Sequence, residues 1–289
     1  MSDPLPAEPI LGFFHDHGRD LPWRGRGATP WAVMVSEFML QQTPVARVLP
    51  VFLAWMQRWP TPADLAADSP GEAVRSWGRL GYPRRALRLH ACATELTLRY
   101  DGAVPEQVEQ LLELPGIGDY TARAIAAFAF GRRTPVVDTN VRRVLNRVVR
   151  GNTDAGPATA ADRVLMESLL PAEPSVAARV SAAVMELGAL VCTATNPDCP
   201  SCPLVDGCAW VAAGRPASEI RRTTQAWAGT DRQVRGRIMA VLRESTEPVP
   251  AAMIELVWDV PEQRERCLAS LVADRLAVVL PDGTYALPG

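Results

Sequence analysis

Leu111–Val149, LLELPGIGDYTARAIAAFAFGRRTPVVDTNVRRVLNRVV, is the stretch that decides the fold. It reads as helix, tight turn, helix, short loop, helix. Leu111, Leu112 and Leu114 close one apolar segment, and Pro115-Gly116-Ile117-Gly118 forms a turn. Proline presets one φ there, and the glycines allow positive φ or close approach. Asp119 is a candidate cap for the next helix, whose Ala122, Ile125, Ala126 and Ala129 recur at helical spacing before Gly131 ends it. Pro135-Val136-Val137 then delivers Asp138, and Thr139 or Asn140 can cap a further helix bearing Arg142, Arg143, Arg147 and Arg150. A Gly-x-Gly turn leaves N–H groups unpaired at a helix N-terminus, where they can hold a phosphate. A phosphodiester held at that turn would lie about one segment from the Asp138 carboxylate. The plainer reading is an αα-hairpin with a surface aspartate.

At 289 residues the chain has room for two domains, or for one with an appendage, and 48% hydrophobic residues support sizeable cores. A net charge of −2 gives no global attraction to nucleic acid, so DNA binding must rest on local patches. No apolar run reaches the length of a membrane span, Ala182–Val191 being broken by Glu186, and MSDPLPAEP has no secretory features. A cytoplasmic protein is expected. All 30 basic residues are arginine, which excludes chemistry through a lysine Schiff base.

Further helices are expected over Leu5–Arg19, Trp31–Leu40, Val45–Trp59, from Thr61, from Ser69 through Trp77, and over Arg84–Arg99, Ala160–Leu170 and Ser175–Val191. No strand is expected before about residue 275, boundaries being uncertain by a few residues. The residues themselves show an all-α main body, a linker at 211–230 where composition shifts to Ala, Arg, Thr and Gly, and a small α+β module at 231–289. In that module three helices precede a hairpin at Pro281-Asp282-Gly283, a winged-helix arrangement. Its third helix could enter DNA, although winged helices also dock proteins.

Cys192, Cys199, Cys202 and Cys208 form C-x6-C-x2-C-x5-C in a Pro-rich loop. Clustered thiols in a cytosolic chain imply a metal centre. Zinc modules pair two close clips and only one is present, so a 4Fe–4S cluster is favoured over structural zinc. Cys92 and Cys267 lie in amphipathic helices and read as buried hydrophobes. Glu37 lies in WAVMVSEFMLQQT, an otherwise apolar helix. If desolvated there, its pKa would rise and it could carry a proton near neutral pH; the competing reading makes Ser36-Glu37 a solvent-facing stripe. Gln41, Gln42 and Thr43 at the helix end could enter a base stack or bond base edges.

SEFMLQQT, LGYPRRA, LPGIGDYTARAI, VVDTNVRRV, MELGALVC and the cysteine spacing, in that order, resemble the helix-hairpin-helix DNA glycosylases that carry an iron–sulfur cluster. Among these they are most similar to the MutY-type adenine glycosylases. The resemblance covers roughly residues 8–210. It implies an all-α, two-lobed enzyme, with 1–28 as an N-terminal arm packing with the cluster lobe, 29–134 as a six-helix lobe holding the hairpin and 135–210 as the cluster lobe. DNA and the active site would lie between the lobes, the enzyme acting as a monomer on double-stranded DNA containing an adenine mismatch, in the nucleoid. The position after Gly118-Asp119 is lysine in relatives that also cleave the strand; Tyr120 here implies a monofunctional hydrolase.

The resemblance further implies that Glu37 protonates the extruded adenine and that Asp138 stabilises the sugar cation, with Tyr120 and Asn140 supporting them. Trp23 and Arg24 would line the base pocket. Gln42 and Tyr82, with Gln41, Thr43 and Leu80, would occupy or flank the vacated stack. Gly116 and Gly118 would grip a phosphate, with Arg142 and Arg143 as nearby charge, and the four cysteines would hold the cluster. Two departures stand out. Ala182 replaces a polar residue thought to touch adenine, and residues 231–289 stand where relatives carry a Nudix-like reader of 8-oxoguanine. The rival readings are a thymine or uracil mismatch glycosylase of the same fold and a non-catalytic iron–sulfur DNA sensor.

Overall fold

The computed structural model describes residues 5–25, 27–153, 156, 158–218 and 227–289. Parts of the predicted 151–157 loop and of the 211–230 linker therefore lie outside the described residues. The described helices are α1 (Ala7–His17), α2 (Pro30–Leu40), α3 (Val45–Arg58), α4 (Pro62–Ala67), α5 (Pro70–Trp77), α6 (Arg84–Tyr100), α7 (Val108–Leu112) and α8 (Asp119–Phe130). They continue with α9 (Thr139–Val148), α10 (Ala160–Leu169), α11 (Pro174–Leu190), α12 (Ala209–Ala212), α13 (Asp231–Glu244), α14 (Ala251–Glu255) and α15 (Pro261–Ala273). A two-stranded antiparallel ribbon follows, β1 (Val278–Val279) and β2 (Tyr285–Ala286), with Val278 opposite Ala286. Val249 adds a single bridge to Tyr285, an extended pairing before residue 275 that no sequence periodicity announced. No described helix is long and apolar enough to cross a membrane.

The chain divides into two compact units. The first comprises Met1–Met34, Glu106–Glu113 and Ile117–Arg222. Its core surrounds α11, against which α1, α8 and α9 pack. α11 buries Ala177, Val180, Ala183, Val184 and Leu187 with Ile10 of α1 and Val141, Val144 and Leu145 of α9. A helix apolar on nearly every side belongs in a core, and it carries Glu186 and Ser181 inside with it.

The second unit comprises Val35–Pro105, Leu114–Gly116 and Thr223–Gly289. Trp55, Trp59 and Trp77 meet edge-on, with centroids 4.6 and 5.6 Å apart, among Phe52, Leu65, Leu89 and Leu96. Thr61 and Asp64 close a reciprocal capping box on α4, and Ser69 caps α5 through the Glu72 N–H. The C-terminal module docks within this unit. Arg75 on α5 donates to the Ser245 carbonyl at 2.6 Å, Arg84 on α6 pairs with Asp274 at 2.7 Å, and a Cβ on Gly71 would lie 2.3 Å from the Pro288 oxygen.

Candidate active site and cysteine pocket

The expected cap at Thr139 or Asn140 is corrected: the residue before them takes that place. Asp138 rather than Thr139 or Asn140 is the N-cap of α9, and its Oδ1 accepts from the Val141 N–H at 2.7 Å. Its Oδ2 accepts from the Asn140 side-chain amide at 2.8 Å, and the Asn140 Oδ1 accepts from Arg143 at 2.7 Å. Arg143 also donates to the Gly188 and Cys192 carbonyls, both at 2.6 Å, which ties the group to the end of α11. Gly188 permits this. A Cβ there would stand 2.8 Å from the Asn140 Cβ. Burial pushes the Asp138 carboxyl above the ordinary aspartate value, against the lowering effects of the Val141 N–H, the Asn140 side chain and backbone, and the Arg143 charge. Gly188 lies in MELGALVC, but its part in placing Asn140 was not visible in the sequence.

Glu37 is 5% exposed on α2, between Ser36 at 0% and Phe38 at 1%. The solvent-stripe reading of Ser36-Glu37 is therefore corrected: the helix is buried along Trp31–Met39 because its other residues there are apolar. At its C-terminal end stands a buried arginine of LGYPRRA to which the sequence reading gave no role. Arg85 donates to the Phe38, Met39, Gln41 and Gly81 carbonyls and, at 3.0 Å, to the Thr43 hydroxyl. A cation at a helix C-terminus complements the exposed carbonyls of the last turn. Desolvation pulls Arg85 down to about 10. Arg85 thus fastens two turns whose exposed residues adopt positive φ, Gln42 at 55° and Tyr82 at 48°. Leu80 is buried, and its carbonyl accepts from Thr43 at 3.3 Å.

At the hairpin, Gly116 has φ 81°, and a Cβ there would meet the Arg88 Cβ at 2.7 Å and the Phe38 ring at 3.0 Å. Asp119 does not cap α8. Gly118 is the N-cap and supplies no side chain, while Asp119 pairs with Arg163 at 2.5 Å and Arg123 at 3.1 Å. Those arginines draw the carboxylate away from the helix start, whose N–H groups keep no side-chain cap. Tyr120 is half-buried beside Ala124, Ala127, Val136 and Ala178. Arg142 donates to Asp162 at 3.3 Å and to the Gly156 carbonyl, so its predicted role as diffuse charge has a structural competitor.

Trp23 is buried, and Arg24 bonds Glu186 of α11 at 2.8 Å. Arg19 grips the same carboxylate through two side-chain bonds, at 2.6 and 2.9 Å, and its backbone N–H at 3.1 Å. Although burial alone would raise Glu186, the Arg19 and Arg24 bonds and charges hold it at about 2.

Cys192, Cys199, Cys202 and Cys208 line one pocket with Arg147, Val191 and Trp210. Among the described residues, no three His, Cys, Asp or Glu stand close enough to share one metal ion. Four thiols around a single space fit a thiolate-bound metal centre. Arg147 supports the same fit. It is 2% exposed, has no carboxylate partner among the described residues, and its Nε is unpaired. Its other nitrogens meet the Cys192 sulfur at 3.4 Å and the Thr193 and Ala194 carbonyls, and it stacks 4.8 Å from the Trp210 ring. A buried cation of this kind calls for nearby negative charge, which metal-bound thiolates supply. Without a metal, burial holds the Cys202 thiol up at about 11. Cys92 and Cys267 are buried apolar residues, as expected.

Residues 35–168 match the family described as "HhH-GPD superfamily base excision DNA repair protein". The chain is 54% identical over 281 residues to the adenine DNA glycosylase of Mycolicibacterium smegmatis, covering 97% of this chain and 95% of that one. It is 51% identical to the adenine DNA glycosylase of Mycobacterium tuberculosis over 97% of this chain and 92% of the other. Among solved structures, a thermostable thymine-DNA glycosylase superposes with a TM-score of 0.64 at 26% identity, over 72% of this chain and 95% of that one. The thymine-directed likeness is partial, whereas the adenine-directed likeness runs through the C-terminal module. On that near full-length likeness, the chain belongs to the MutY-type adenine DNA glycosylases of the helix-hairpin-helix superfamily.

Proposed function

We propose that this protein hydrolyses the N-glycosidic bond of adenine mispaired with guanine or 8-oxoguanine, with Glu37 as the acid and Asp138 as the stabilising carboxylate. The observation that carries the reading is the pair of environments. Glu37 is 5% exposed on a helix buried among apolar side chains, so an acid at that position is enclosed rather than bathed in water. Asp138 is also desolvated and its carboxyl raised, but the Val141 N–H and the Asn140 amide donate to its ionised form and oppose that rise.

An adenine anion is a poor leaving group. Proton transfer from Glu37 to a ring nitrogen of the extruded base lets the C1′–N9 bond break with its electron pair going to neutral adenine. The sugar becomes oxocarbenium-like, and the Asp138 carboxylate stabilises that cation, the division of labour familiar from glycoside hydrolysis. Water then adds at C1′, its proton returning to the Glu37 carboxylate and leaving an abasic site. Extrusion is required because the bond is inaccessible in the stack. The capless start of α8, with Gly116 and Gly118, is suited to a backbone phosphate. The absence of lysine from the sequence removes the amine that strand-cleaving relatives use.

Cys192, Cys199, Cys202 and Cys208 would hold a 4Fe–4S cluster, with Arg147 compensating its charge. When bound, that group supplies a covalent staple and negative charge at the end of α11. Iron and sulfide analysis of purified protein tests this, four of each per chain being expected.

The test of function is single-turnover base release from duplexes with adenine opposite 8-oxoguanine, adenine opposite guanine, and thymine or uracil opposite guanine. Release of adenine alone, with breaks only after alkali, is expected. Release of pyrimidines, or no release despite tight binding, overturns the reading.

A further inference from the structure

Within the second unit a ladder of alternating rings and guanidinium groups runs from the core into the C-terminal module. The Arg85 guanidinium carbon lies 5.4 Å from the Trp77 centroid and 5.3 Å from that of Tyr82. On the Tyr82 ring follows Arg232 at 5.8 Å, and Arg232 lies 5.1 Å from Trp227. Such spacings are those of cation–π contacts. The inner end is buried, but the outer end is not: Tyr82 is 51% and Trp227 52% exposed, and Arg232 is exposed as well.

The outer end is built rather than loose. Thr230 caps α13, and its hydroxyl donates to the Trp227 carbonyl at 2.8 Å. Gln233 accepts from the Gly229 N–H at 2.8 Å, and Gln263 donates to the Gly229 carbonyl at 3.0 Å. Tyr82 is held in its positive-φ turn by the Arg85 bond to the Gly81 carbonyl. On the other side of that turn, Arg47 donates to the Arg79 carbonyl. Arg47, Arg79 and Arg232 have no carboxylate partner among the described residues.

The module's third helix offers the opposite. Its exposed side carries Glu262 and Glu265, Arg266 is paired with Asp231 at 2.8 Å, and Arg264 is spent on the Glu255 and Trp258 carbonyls. The expectation that α15 enters DNA is therefore unsupported by its charge.

We propose that Trp227 and Arg232 extend the DNA contact expected at Tyr82 from the linker's end into the module, with Arg232 meeting a backbone phosphate and the Trp227 ring meeting a base opened beside it. Half-exposed aromatic rings flanked by unpaired arginines match the mixed chemistry of a locally unstacked strand. The inference rests on the proposed action on DNA and gives the C-terminal module a task within it.

The test is binding of the whole chain to a labelled duplex with adenine opposite guanine, measured at several salt concentrations. Arg232→Ala is expected to weaken binding by about tenfold and to lower the salt slope by about one charge. Trp227→Ala is expected to weaken binding comparably with the slope unchanged. Arg237→Ala is the control: Arg237 lies on the same helix but stacks 5.0 Å from Trp258. It is expected to bind like wild type, and melting temperatures verify that all three fold. Wild-type affinity and slope for Arg232→Ala would overturn the inference, as would an equal loss in Arg237→Ala. Loss of affinity in Arg232→Ala alone, in a protein that releases no adenine, would support the surface while defeating the proposed chemistry.

Discussion

Two carboxylates of the first unit, Asp138 and Glu186, are both pushed up by burial, yet end on opposite sides of their ordinary values because their partners differ. Glu186 meets two guanidinium groups, forms ion pairs at 2.6 and 2.8 Å, and is held at about 2. Asp138 is met mainly by neutral donors, the Val141 N–H and the Asn140 amide, with Arg143 reaching Asn140 instead of the carboxylate. Its carboxyl is raised. A carboxylate neutralised by two arginines is committed to holding helices together. One oriented by neutral donors keeps its charge available for a passing cation, at the cost of a weaker hold on its ionised form.

The largest effect that would sharpen this contrast is on Asp138. Asp138→Asn keeps an oxygen suited to an N-cap, so the fold should persist. Single-turnover release should fall by about 10³-fold, as when a preorganised electrostatic group is lost. Near wild-type release would place Asp138 with Glu186 among structural carboxylates.

Next comes stability. Glu186→Gln should cost about 2 kcal/mol, less than a fully enclosed pair would, because Arg19 and Arg24 keep part of their water. The pKa of Glu186 is depressed from an ordinary 4.5 to about 2, so its contribution is complete above pH 4.5 and lost as pH falls toward 2. Thermal melts of both proteins should therefore differ at neutral pH and converge through that window. A difference independent of pH would break the ion-pair account.

The smallest effect is a pH shift. Asp138 must be ionised to act, so release should decline on the acid side at a pH above that of an ordinary aspartate. Asn140→Ala removes a donor to the ionised form and should move that limb upward by roughly half to one pH unit, equivalent to one neutral hydrogen bond. An unmoved limb would assign the titration to another group.

What could be read in the sequence was local. The LPGIG turn, the Gly131 stop and the cysteine spacing carry their meaning within a few residues, and each sits where spacing and turn chemistry put it. Glu37 was readable as an acid in an apolar helix, but its burial depends on what packs around α2. The cap of α9 was expected at Thr139 or Asn140 and is Asp138; neighbouring polar residues one or two positions apart differ as caps only in side-chain geometry. The supporting roles were invisible because their partners are remote. Arg19 and Glu186 are 167 positions apart, Arg85 serves carbonyls 44 to 47 positions away, and Gly188 matters only because α9 lies against it. The docking of Arg232 on Tyr82 likewise joins a linker-proximal helix to a turn early in the chain.

The central claim is that buried Glu37 delivers the proton that frees adenine. Its most direct test is Glu37→Gln, assayed in parallel for binding to a duplex with adenine opposite 8-oxoguanine and for single-turnover release. Glutamine fills the same space but carries no transferable acid proton. The account predicts binding within a few-fold of wild type and a collapse of adenine release; release retained at the wild-type rate would contradict it.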